Sequence, residues 1–125
     1  MELNDTIEFI QNIYNSYNIS HSLVIYDKDS STPSDIEELY NRLIENDFPI
    51  CHLKDIPDDV SAYEKKYRMF LIDYENLTDF IVKKNSELSN ISVIFCLSSL
   101  SLHCTCNLLQ NYKVKTLQSM HLFSC

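Results

Sequence analysis

Glycine does not occur once in these 125 residues, and neither does tryptophan. The first absence removes the usual phosphate cradles. Walker, dinucleotide-binding and nucleophile-elbow turns all need a residue without a Cβ at fixed places. Basic residues are also scarce, ten against eighteen acidic ones, for a formal charge of −8. That field disfavours nucleic acid and anionic membrane surfaces as partners. No run approaches the roughly 18 uncharged apolar residues that a membrane span needs. The opening MELNDTIEFI lacks the basic stretch and apolar core of a signal peptide. The expectation from these features is a chain that stays in the cytoplasm where it is made.

What is present is a rhythm. Three short apolar runs, SLVIYD (22–27), YRMFLIDY (67–74) and ISVIFCL (91–97), read as strands buried on both faces. The first two end on aspartate and lead into amphipathic segments. A helix is predicted over 5–17, where Ile7, Ile10, Ile13, Tyr14 and Tyr17 share one face and Asp5 and Glu8 have capping-box spacing. A second starts at Thr32, a good N-cap, with Pro33 at the first helical position. It runs to about Glu45, and Asn46–Asp47 end it with residues that tolerate left-handed backbone in place of glycine. Pro49–Leu53 reads as an edge strand, 57–66 as a weak helix, 76–87 as a helix with Leu77, Phe80 and Ile81 inward, and Tyr112–Leu117 as a fifth strand. Leu100–Gln110 has a poor helical pattern. The class predicted is α/β: three layers, with a mostly parallel central sheet of four or five strands and helices on both faces.

The size suits one domain, and 45% apolar with 22% charged residues is too apolar for disorder. All 18 acidic residues lie at or before Glu87, however, and four of the five cysteines lie after it. The predicted organisation is an α/β core over 1–90, then the last strand or strands and a cysteine-rich tail over 91–125. A truncated or misread C-terminus is the alternative source of that break.

Ligands of parallel sheets sit at the strand C-terminal ends, which singles out Asp27, Asp29, Asp73 and Ser98. If the first and third strands are neighbours, the three carboxylates share a crevice suited to a hard cation such as Mg²⁺. That constellation, with Ser98 after the fourth strand and Lys113 or Lys115 from a fifth, resembles a response-regulator receiver domain. The resemblance implies Asp73 as phosphoacceptor and Asp27 and Asp29 as metal acids. The departures are Lys28 between the acids, no Met-Pro-Gly-type turn after Asp73, and Lys113 at the start of its strand. A zinc set of Cys104, Cys106, His121 and Cys125 is the metal candidate, but its first pair has one intervening residue, no glycine turn shapes a knuckle, and 113–117 would have to loop; the plainer reading is reduced thiols in a half-buried segment. His103 beside Cys104 is adjacency in sequence, not the spatial pairing that nucleophilic catalysis needs. Asn-x-Ser/Thr sequons occur at Asn4, Asn18, Asn76 and Asn90, with Asn18 and Asn76 the glycosylation candidates if the chain is secreted.

Residues 6–90 as a whole, with TIEFIQNIYNSYNISHSLVIYD, NDFPICHLKDI and YRMFLIDYENLTDFI, resemble the extracellular amino-terminal region of divergent insect ionotropic chemosensory receptors, which are glutamate-receptor-like. The resemblance implies a degenerate α/β half-domain on the outer side of a membrane receptor; the pore and ligand clamp of that family lie beyond it. The function expected is therefore a non-enzymatic binding or interaction module, without a cofactor, for an unidentified protein or small molecule. A receiver-like signalling domain with Mg²⁺ is the alternative.

Overall fold

The computed structural model describes residues 3–29, 32–114 and 120–124. Helix α1 (Leu3–Ser16) precedes strand β1 (His21–Tyr26). There follow α2 (Pro33–Glu45), β2 (Ile50–Leu53), α3 (Val60–Lys66), β3 (Met69–Asp73), α4 (Tyr74–Lys83), β4 (Ile91–Cys96), α5 (Ser99–Asn111) and β5 (His121–Ser124). The strands form one sheet in the order β2-β3-β1-β4-β5, and every pairing is parallel. The fold is α/β with three layers, as the strand runs predict.

Strand alternation sorts the core into two faces. Val24, Tyr26, Met69, Leu71, Val93 and Phe95 meet Ile7 and Ile10 of α1 and Ile36, Leu39 and Leu43 of α2. Leu23, Ile25, Phe70, Ile72, Ile94 and Cys96 meet Val60 of α3, Leu77, Phe80 and Ile81 of α4, and Leu102 and Leu108 of α5. The order explains this division. From β1 the chain steps over β3 to the β2 edge, whereas every later connection steps the opposite way. Right-handed crossovers then put α2 on one face and α3, α4 and α5 on the other.

The composition break after Glu87 is not a break in the fold. Strand β4 lies between β1 and β5, and Val93 to Cys96 are completely buried. The run of apolar residues without charge there is what a strand covered on both faces requires. The fifth strand is 121–124 rather than 112–117, since α5 continues to Asn111 and Tyr112 caps it; 115–119 lie outside the described residues. The poor pattern of α5 also has a reason. Its buried positions one turn apart are Ser101 and Thr105, polar side chains that a hydrophobic template does not count. Helix α4 begins at Tyr74, earlier than predicted, because Asp73 itself is the N-cap.

Without glycine, other residues occupy the left-handed region: Asp47 (φ 64°), Asn85 (φ 54°), Ser86 (φ 58°) and Lys113 (φ 48°). Asp and Asn hold this conformation at modest cost, but Ser and Lys gain nothing from it. Ser86→Gly and Lys113→Gly should each stabilise the fold by about 0.5–1 kcal/mol. Thermal melts should show Tm rising in both, and rising less in Asn85→Gly.

Candidate functional site

The chain leaves β1 toward one face of the sheet and leaves the neighbouring β3 toward the other. This reversal opens a crevice over the strand C-terminal ends, the usual place for ligands in such sheets. Tyr26 pairs in register with Asp73, so Asp27 and Asp73 are brought together as their sequence positions suggest. Their carboxylates are used locally, however. Asp27 is buried, and its Oδ1 accepts the Asp29 N–H at 2.9 Å, closing a turn. Asp73 accepts from the Glu75 N–H at 3.4 Å and caps α4. Asp29 is exposed. Lys28 pairs with Glu75 at 2.6 Å and lies 4.0 Å from Asp73.

The geometry weighs against the Mg²⁺ and phosphoacceptor expectation. Among the described residues no three His, Cys, Asp or Glu side chains are placed to share a metal ion. Receiver-like sheets run 2-1-3-4-5, whereas here β1 separates β3 from β4. Ser98 is the N-cap of α5, bonded to the Ser101 N–H at 3.0 Å within a capping box. Lys113 follows the far end of α5, about 20 Å of helix away from Ser98, and Lys115 lies outside the described residues.

The zinc set is not brought together among the described residues either. Cys104 and Cys106 are two residues apart on α5, which turns them roughly 200° from one another around the helix axis. His121 packs instead on Tyr17, with ring centroids 5.0 Å apart, and Cys125 lies outside the described residues. Of the sequons, Asn18 is exposed between α1 and β1. Asn76 sits in the first turn of α4 and donates its side-chain amide to the Lys54 carbonyl at 3.0 Å.

Burial pushes the Asp73 carboxyl above its ordinary value of 3.8, and the nearby Glu75 charge adds to the shift, against the pull of its backbone bond and of Lys28. A raised carboxyl pKa contributes stability that is complete below 3.8 and lost as pH rises through the folded value. Asparagine caps helices as well as aspartate does. Asp73→Asn should therefore be slightly more stable than the parent at pH 7, and denaturation series should show the gain vanishing toward pH 3.

The opening the structure does provide lies beside these acids, on the α2 side. It is a cavity of about 420 Å³ lined by Tyr26, Lys28, Pro33, Ile36, Glu37, Tyr40, Asn41, His52 and Lys54. The Tyr26 hydroxyl and His52 Nε2 are 2.7 Å apart, a bond that reaches over β3 from the central strand to the edge. The His52 ring stands edge-on to Tyr26 (centroids 5.6 Å, 68°) and tilted to Tyr40 (6.0 Å). Burial, helped by the Lys54 charge, lowers the His52 pKa, while burial and then Asp73 raise that of Tyr26. Both groups are thus uncharged at neutral pH.

These lining residues were not singled out from the sequence, although period-2 alternation puts Ile50 and His52 on one face of β2 and helical spacing puts Ile36 and Tyr40 on one face of α2. A wider hollow at the opposite end of the sheet is lined by Gln11, Asn46 and Arg68 among others. These three are committed: Gln11 to Asn46, Asn46 to the Arg42 carbonyl, and Arg68 to the Ser20 and Ile19 carbonyls.

No family model matches the chain, and no curated protein matches it. Among solved structures it is similar to the C-terminal part of the Fun30 ATPase domain, with a TM-score of 0.64 at 12% identity over 98% of this chain. The chain spans 40% of the length of that one. At this identity the likeness is one of fold, and it agrees with the parallel α/β architecture described above.

Proposed function

We propose that the chain is a non-enzymatic α/β binding module that takes a small ligand into the cavity beside Tyr26, Tyr40 and His52. The cavity carries this reading. It has the volume of a small-molecule site, sits where the connections from β1 and β3 part, and combines ring faces with a few polar groups. The neighbouring acids support it, since Asp27 and Asp73 are spent on a turn and a helix cap. The resemblance to the amino-terminal region of ionotropic chemosensory receptors gives the module a setting, as an extracellular half-domain. A glycan at Asn18 in protein from the native source would support that setting, and an unglycosylated cytosolic protein would count against it.

The binding reading is tested by amide NMR with phenylacetate, phenethylamine and phenylacetamide as probes. Shifts gathered on Tyr26, Tyr40 and His52, and abolished by Tyr40→Ala, are the expected result. Shifts gathered elsewhere, or none with any probe, would overturn it.

A further inference from the structure

Resting on that reading, the cavity can be assigned a ligand class from the charges around its rings. The two lysines that line it are not equivalent. Lys28 is held by Glu75 at 2.6 Å with Asp73 beyond it, so its charge is already answered. Lys54 makes no ion pair among the described residues. Its backbone carbonyl accepts from Asn76, which fixes the start of a side chain that lines the cavity. The ammonium lies near enough to His52 to help hold the imidazole neutral. That neutral ring lines the cavity with Tyr26 and Tyr40, so a planar group bound there meets aromatic side chains.

A second cation bound on these rings would confront the Lys54 ammonium, whereas an anion would answer it. Glu37, the one acidic lining residue, comes from α2, whereas Lys54 directly follows β2. We infer that the cavity selects a planar aromatic acid, its ring against Tyr40 and His52 and its carboxylate on Lys54.

Three probes of one shape separate the possibilities: phenylacetate, its neutral amide phenylacetamide, and the cationic phenethylamine. Phenylacetate should bind roughly fivefold more tightly than the amide, a modest preference because Lys54 is exposed and screened. Phenethylamine should bind most weakly. Lys54→Met should bring phenylacetate and phenylacetamide to parity, Lys54→Arg should keep the preference, and added salt should erode it. Equal binding of all three by the parent protein, or tighter binding of phenethylamine, would overturn the ligand class and leave the cavity as a binding site. Absence of binding by any probe would overturn both.

Discussion

Phe95→Ala should remove about 3–5 kcal/mol of stability, a large part of the roughly 5–15 kcal/mol that holds a domain of this size together. The ring is completely buried in β4. It lies edge-on to Phe9 at 6.2 Å, near-parallel to Tyr14 at 6.3 Å and near-parallel to Phe123 at 6.2 Å. Its loss opens a cavity where α1, β4 and β5 meet, and none of the three can close it alone. Urea titrations followed by tyrosine fluorescence and far-UV circular dichroism should show the midpoint collapse. Phe95→Leu should cost only about 1–1.5 kcal/mol, because much of the volume is retained. The pair also tests whether the acid-free last third of the chain is structural. A loss below about 1 kcal/mol in Phe95→Ala would mean that β4 does not complete the core.

Lys84→Met should cost about 3 kcal/mol, for an electrostatic reason. The side chains of Lys84 and Glu64 are only 10% and 8% exposed, and their charged atoms are in direct contact. Asn90 completes the group, accepting from Lys84 at 3.0 Å and donating to the other Glu64 oxygen. Removing the ammonium leaves a carboxylate out of water without its counter-charge, which costs far more than the pair itself contributes. Adding Glu64→Gln should recover all but about 1 kcal/mol, since an amide still bonds Asn90 without a charge to desolvate. A double-mutant cycle by chemical denaturation measures this coupling directly. Additive losses would show that the two side chains do not depend on one another.

Strands β1, β3 and β4 were legible because parallel sheets leave apolar runs, and Ile91 to Leu97 remains one despite its foreign composition; the fifth strand was misplaced. Thr32 with Pro33 announced the start of α2 for a local reason, and the structure has that cap, with the Thr32 hydroxyl accepting from Asp35. Strand order was not legible. It depends on which way each crossover steps, and nothing local in 27–49 says that the chain passes over β3. Asp27 and Asp73 drew attention as a site because they end strands, yet the end of β3 leads straight into a helix that needs a cap, and the end of β1 into a turn that needs an acceptor. The cavity escaped notice because Tyr26, Tyr40 and His52 come from three elements and meet only once that crossover is made.

The Tyr26–His52 bond reaches further than the cavity it floors. Strand β2 is a four-residue edge, the kind of element that opens to solvent by itself. Its side chain is tied across β3 to the middle of the sheet, so fraying of the edge and loss of one cavity wall become a single event. Any occupant of the cavity must then slow amide hydrogen exchange along the whole of 50–53. The edge of the sheet would thus report, in exchange rates, what its centre has bound.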